Sequence, residues 1–328
     1  MRPVALILSL LLGCHLSAGP ASAGDWAESL KAGFPAQEAL GEFPDTSGLD
    51  LGRDLKGLNA RSFSAAGLHV YFVDVGQGDA EYIVLPNGEN VLIDGGPSGA
   101  RIAAFLEQMG VSEIEHVVLT HPHSDHYQGL NHVFDELQVN NFYDTGIDNM
   151  GAAGDNALRR KAAEEPDCTI HYPAPAETLD WGSGVGARVL SSCPQSAEVS
   201  GDTAGGIVVN NCSMVIRLSA PGFSVLFTGD IQERTEELLI EYYGSGLASD
   251  ILKVPHHGSE ESATPEFLAL VRPTYAVIEV GRNSYGLPTQ VALDRLAEVG
   301  AKVYRTDVDG SLLFRDKPSS LYVMNIPH

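Results

Sequence analysis

From residue 68 onward, short apolar runs alternate with Gly-, Pro- and Asp-rich breaks, a pattern that predicts a succession of strands and helices. His69–Val75 reads as a strand closed by Gly76-Gln77-Gly78-Asp79. Glu81–Leu85 is a second strand, and Pro86-Asn87-Gly88-Glu89 is the turn into a third at Asn90–Asp94. Ile102, Phe105, Leu106 and Met109 have helical spacing before Gly110. Ile114–Thr120 is a buried strand, followed by a helix that begins near Gly129. Residues 144–167 read as loop plus a short exposed helix. Strands return at Ala187–Leu190, Met214–Leu218 and Ser224–Thr228. After a helix at Glu233–Tyr243 come a strand at Ile251–Val254, a helix at Pro265–Val271 and a strand at Tyr275–Val280. A helix at Gln290–Val299 precedes the final strands from Lys302. Strands first, then alternating strands and helices, occur twice. This order predicts an α/β (α+β) chain of two sheet-and-helix halves stacked as an αββα sandwich.

The first 66 residues differ. Arg2, the apolar stretch Val4–Leu12 and the small residues through Ala21-Ser22-Ala23 have the layout of a secretory signal cut before Gly24. Leu11-Leu12-Gly13-Cys14 offers a competing reading as a lipoprotein site at Cys14, but Leu12 is bulky where small residues are usual. Residues 24–66 read as an extension or linker, with a helix between Trp26 and Leu40, and residues 67–328 as the main domain. No later apolar run approaches the roughly 18 residues of a membrane span. These features predict a periplasmic or secreted protein. In that compartment Cys168, Cys193 and Cys212 imply one disulfide and one free thiol, with Cys193–Cys212 the favoured pair because Cys193 ends one predicted strand and Cys212 begins another.

Formal net charge is −23. Residues 1–250 carry 12 Lys+Arg against 34 Asp+Glu, and residues 251–328 carry 8 against 9. The absence of a basic stripe excludes a long nucleic-acid footprint and favours a small or flexible substrate, such as a nucleotide or a nucleic-acid fragment.

The chemistry is concentrated in His121-Pro122-His123-Ser124-Asp125-His126. Three imidazoles and a carboxylate in six residues are poor packing material but good ligands for a divalent metal. The run sits at a strand's C-terminal end, where sites of α/β proteins gather. His121 and His123, two apart in extended chain, share a face and suit one ion; Asp125 and His126 suit a second. Three further strand ends carry candidate ligands or their supports: Asp94, Asp230 and His256-His257. Asp230, reached through the apolar Val225-Leu226-Phe227, is the natural bridge between two ions. His257 is taken as a ligand and His256 as a catalytic helper facing substrate. Asp94 is taken as an outer support that orients a metal-bound imidazole.

These motifs resemble the metallo-β-lactamase superfamily, in its ComEC/Rec2-like hydrolase branch. The resemblance rests on Asp74-Val75-Gly76-Gln77-Gly78-Asp79, Leu92-Ile93-Asp94-Gly95-Gly96, Thr120–His126, Thr228-Gly229-Asp230 and His256-His257-Gly258-Ser259, in order across residues 68–315. It implies an αββα fold and a hydrolase holding one or two Zn2+ ions, with Mn2+ as an alternative. It also implies that His121 and His123 bind the first ion and Asp125 and His126 the second. Asp230 then bridges, and His257 completes the second site. Where the superfamily often has a further His before the bridging Asp, this chain has Asn210-Asn211; Asn211 is retained as a candidate near the site. Where the branch shows Tyr-Gly-His-Pro, this chain has Tyr285-Gly286-Leu287-Pro288, so Asn283 and Tyr285 are the candidates for contacting substrate.

The expected chemistry is attack by metal-activated water, with Asp125 orienting the nucleophile. Phosphodiesters rank first as substrates, and β-lactams or lactones second. A two-iron redox centre is disfavoured, because such proteins place Glu where His123 stands. A binding protein without catalysis is disfavoured by the nearly complete ligand set.

Overall fold

A computed structural model describes residues 67–149, 153–193, 203–221, 223–315 and 321–324, together with 31, 33 and 34. The signal sequence, Cys14 and most of the 24–66 extension, including most of the helix expected after Trp26, lie outside the described residues. The side chain of Phe34 stacks on Tyr242 at 4.8 Å between ring centroids.

The strands run β1 (His69–Phe72), β2 (Glu81–Val84), β3 (Asn90–Ile93), β4 (Glu113–Val118), β5 (Gln138–Tyr143) and β6 (Thr169–His171). They continue as β7 (Thr178–Leu179), β8 (Gly186–Ser191), β9 (Val215–Ala220), β10 (Phe223–Phe227), β11 (Ile251–Lys253), β12 (Tyr275–Ile278), β13 (Lys302–Arg305), β14 (Ser311–Arg315) and β15 (Leu321–Met324). One sheet is ordered β15-β14-β1-β2-β3-β4-β5-β6, the other β13-β12-β11-β10-β9-β8-β7. Each is antiparallel on one side and parallel on the other: β3 to β6 in the first sheet, β10 to β13 in the second.

The helices are α1 (Gly99–Met109), α2 (Ser124–Glu136), α3 (Gly154–Glu164), α4 (Thr203–Asn211), α5 (Glu233–Tyr243), α6 (Pro265–Val271), α7 (Gln290–Glu298) and the short α8 (Thr306–Asp309). Three apolar clusters define the layers. Ile102, Phe105, Leu130, Val133 and Leu158 pack on the outer face of the first sheet. Phe72, Ile93, Trp181, Phe227 and Phe314 fill the space between sheets. Val209, Leu238, Phe267 and Leu296 cover the second sheet. The architecture is therefore αββα, as the order of elements implies.

Strands β5, β6 and β7 have no counterpart in the sequence reading, and four further features depart from it. Helix α2 starts at Ser124, not near Gly129. Its first turn is made of polar residues that show no apolar period, yet Asp125 there suits the positive end of the helix dipole. Helix α3 is not simply exposed, because Asp155, Leu158 and Ala162 are buried. Helix α4 was not expected in a Gly- and Val-rich stretch. Finally, β14 returns to the first sheet and pairs with β1, so the second half closes the first. The Cys193–Cys212 pair is disulfide-bonded, and Cys168 is free.

Candidate metal centre

The parallel strands of the two sheets end at one place. Asp94 follows β3, the histidine run follows β4, Asp230 follows β10, and His256-His257 follow β11. Close packing of the backbone seats the start of α2 there. A Cβ added to Gly129 would meet the carbonyl oxygen of Gly95 at 1.8 Å, and Gly95 N donates to His126 O at 2.8 Å. The loops are also strained: Asp94 (φ 54°), His256 (φ 48°) and His257 (φ 51°) all adopt the left-handed region. Such strain in non-glycine residues is concentrated at functional sites.

Asp230 is the focus. Its Oδ2 lies 3.9 Å from His121 Nε2, 3.3 Å from His126 Nε2 and 3.4 Å from His257 Nε2. Asp125 Oδ2 is 3.3 Å from His257 Nε2, and His123 Nδ1 is 3.0 Å from His121 Nε2. All six sequence-nominated metal ligands are thus brought together, three of the ring nitrogens from the first sheet's loop and one from the second's.

Each inner imidazole is oriented from behind in the same way. Thr120 N and Oγ1 donate to the two oxygens of Asp94 at 2.9 and 2.6 Å, so Thr120 Oγ1 can accept from His121 Nδ1 at 3.1 Å. His126 Nδ1 donates to Asp94 Oδ2 at 2.7 Å, and His257 Nδ1 donates to the Glu279 carbonyl at 2.8 Å. With Nδ1 engaged, Nε2 faces inward on all three rings. His126 Nε2 and His257 Nε2 are buried without a hydrogen-bond partner. Buried donors and acceptors normally find partners, so these orphaned nitrogens fit a cation that the chain itself does not provide. His121, His126 and Asp230 form one compact group that could hold a metal ion, and Asp125, His126 and His257 another.

Protonation follows the same geometry. Burial opposes charge on His126 and His257, yet Asp230 and Asp79 outweigh it and hold both well above the usual histidine range. His121 and His123 are held below it by burial. Burial opposes ionisation of Asp125, but its contact with His257 keeps the carboxyl well below the ordinary range.

Sequence reasoning missed three members of the site. Asp79 is buried, with Oδ1 3.2 Å from His257 Nδ1. Lys253 is fully buried beneath Asp230, and Glu279 lies beside Asp79. A lysine inside the apolar Ile251–Val254 strand was the available signal, since Lys is almost never fully buried unless paired.

A cleft of about 550 Å³ opens above the candidate metal ligands. Gln77, Asn149, Asn210, His256, Tyr285 and Leu287 are among the residues that line it. Burial holds His256 below the usual histidine range, and its Nε2 lies 3.3 Å from Asn210 Nδ2. Tyr285 is 76% exposed at the mouth. Two candidates are placed differently from expectation. Asn211 turns away from the ligands, and its Oδ1 accepts from Gln232 N, Thr235 N and Thr235 Oγ1. The rigid start of α5 takes that side chain, so Asn210 is the one that faces the cleft. Asn283 spends its amide within its own loop, donating to Gly281 O and Leu287 O and accepting from Tyr285 N and Leu287 N.

Residues 73–281 match the model of the metallo-beta-lactamase superfamily. The chain is 31% identical over 245 residues to competence protein ComA of Neisseria gonorrhoeae, covering 74% of this chain and 31% of that protein. It is 26% identical over 270 residues to ComE operon protein 3 of Bacillus subtilis, covering 76% of this chain and 33% of that protein. It therefore spans about a third of the length of these curated relatives. Among solved structures, Igni18, a metallo hydrolase of Ignicoccus hospitalis, superposes with a TM-score of 0.51 at 16% identity, over 76% of this chain and 100% of that one, a likeness of fold. Fold, ligand geometry and relatives converge: the chain belongs to the metallo-beta-lactamase superfamily of metallo-hydrolases, in its ComEC/Rec2-like branch.

Proposed function

We propose that this chain is an exported, divalent-metal-dependent phosphodiesterase, with zinc the first candidate ion and manganese the second. The observation that carries the reading is the convergence of His121, His126, His257 and Asp125 around Asp230, with two orphaned Nε2 atoms aimed inward. When bound, such ions lower the pKa of water and stabilise charge developing on oxygen. His121, His123 and one oxygen of Asp230 would hold the first ion; Asp125, His126, His257 and the same oxygen would hold the second. The side chain of Asp125 is 30% exposed towards the cleft and can orient an attacking water. His256 lines the cleft, and burial favours its neutral form, which is placed to accept a proton or a hydrogen bond at the substrate.

Phosphodiesters are favoured by the resemblance of the motifs to the ComEC/Rec2-like branch, which includes likeness to competence protein ComA and ComE operon protein 3. The described residues that line the cleft include Glu260 and Glu261 but no Lys or Arg. That supports a small or flexible substrate over a long polyanion. Export is supported by the signal-like Arg2–Ala23 segment and by the disulfide. The test is hydrolysis of bis(p-nitrophenyl) phosphate by the purified protein. Turnover is expected to vanish with chelator, to return with Zn2+ or Mn2+, and to be abolished in His121→Ala and Asp230→Ala. Activity on a cephalosporin or lactone with none on the phosphodiester would overturn the substrate class. Activity retained in either variant would overturn the site.

A further inference from the structure

Lys253 ends β11 in the middle of the second sheet, and none of its surface reaches solvent. Burying an ammonium among strands is costly, and a buried ion pair is often replaceable by apolar side chains without loss of stability. As space-filling alone, this lysine is a poor choice. Its surroundings are specific. Nζ donates to Gly229 O at 2.9 Å, lies 3.5 Å from Asp230 Oδ1 and pairs closely with Asp79 Oδ2. Asp79 turns its other oxygen to His257 Nδ1 at 3.2 Å. From the opposite side Ser213 Oγ accepts from Asp230 N at 3.0 Å. The ammonium therefore grips both the backbone of the Gly229-Asp230 turn and one carboxylate oxygen, while the other oxygen, Oδ2, faces the three inward Nε2 atoms.

We propose that Lys253 is a positioning residue: it occupies Asp230 Oδ1 so that Oδ2 alone meets the metal, making Asp230 a one-oxygen bridge that holds two ions together. The inference rests on the metal-dependent reading above. Without Lys253 the Asp230 carboxylate is free to rotate and to offer an oxygen to each ion separately, and the ions move apart. Asp79 is the second anchor, because it fixes the ammonium relative to His257.

The test uses metal-depleted full-length protein titrated with Mn2+, with stoichiometry read by calorimetry and the ion pair by electron paramagnetic resonance. The wild type is expected to take two ions and to show an exchange-coupled spectrum. Lys253→Met is expected to keep the first ion, lose the coupled spectrum and bind the second about 10-fold or more weakly, the range for groups that orient ligands from outside. The double variant Lys253→Met/Asp79→Asn removes both charges of the pair, so it tests the role without leaving an uncompensated buried carboxylate. It should fold, by near-ultraviolet circular dichroism, and lack the coupling. The proposal is overturned if either folded variant retains the coupled spectrum at wild-type affinity, or if the wild type shows no coupled pair. It is also overturned if the double variant does not fold, since a side chain that only orients Asp230 is dispensable for folding once its partner's charge is gone. Coupling lost in the variants, alongside a wild type that hydrolyses no phosphodiester, would sink the proposed reaction and leave the role of Lys253 standing.

Discussion

Asp94→Asn is the sharpest perturbation of the metal centre that leaves every proposed ligand in place. The Asp94 carboxylate is fully buried and accepts three hydrogen bonds: from Thr120 N at 2.9 Å, Thr120 Oγ1 at 2.6 Å and His126 Nδ1 at 2.7 Å. The amide has the same shape, so volume is unchanged. If its oxygen keeps Thr120 N, its NH2 faces both the Thr120 hydroxyl and His126 Nδ1–H, two donors. The ring of His126 must then rotate or surrender its proton. A charge-assisted hydrogen bond of this kind contributes about 1.5–3 kcal/mol. At about 1.4 kcal/mol per factor of ten, that is roughly a 10- to 100-fold loss in metal affinity, the range typical of supports behind a ligating histidine. The loss should appear in competition titrations against a chromophoric chelator, while kcat at saturating metal changes less than affinity does. Wild-type affinity in Asp94→Asn, within about twofold, would refute the idea that this carboxylate holds His126 in the tautomer that binds.

Two further expectations follow from the same geometry. His126 and His257 are held above the ordinary value of 6.5 by surrounding carboxylates, against burial. The folded metal-free protein thus binds these protons more tightly than the unfolded chain. The associated stability is complete below 6.5 and is lost as pH rises through the raised values. Melting of the metal-free protein should move to lower temperature on going from about pH 6 to 9, and metal affinity should rise as the protons are displaced; a flat melting profile would contradict the assignment. Asn211→Ala removes the acceptor for Gln232 N and Thr235 N at the start of α5. It should lower stability by about 1–3 kcal/mol in urea unfolding and leave kcat/KM near wild type, whereas a selective loss of turnover would place Asn211 in the chemistry.

Most of the site was legible because its residues are chemically conspicuous. The histidine run, Asp230 and His257 are expensive to bury without a cation, and each follows an apolar strand that announces itself by pattern. Asp94 was legible as a support for the same reason. The members that escaped are those whose meaning depends on what lies opposite. Lys253 looks in the sequence like one polar position in a strand, and Asp79 like part of a Gly-rich turn. Only pairing β10 with β11, and stacking the two sheets, puts them beneath Asp230. Asn210 and Asn211 are indistinguishable as letters, and the helical twist of α4 decides which one meets the cleft.

By itself the sequence determined most of the elements, the αββα layering and the ligand types at the strand ends, because hydrophobic period and ligand chemistry are local properties. The tertiary structure decided which oxygen of Asp230 faces the imidazoles, that Asn283 serves its own loop, that α2 begins within the histidine run, and that β14 closes onto β1. The closing of β14 onto β1 sets His69 opposite Arg315, and beside it Asp74 N donates to Ser311 Oγ, 237 positions away. Local pattern carries no information about contacts at that separation; packing does.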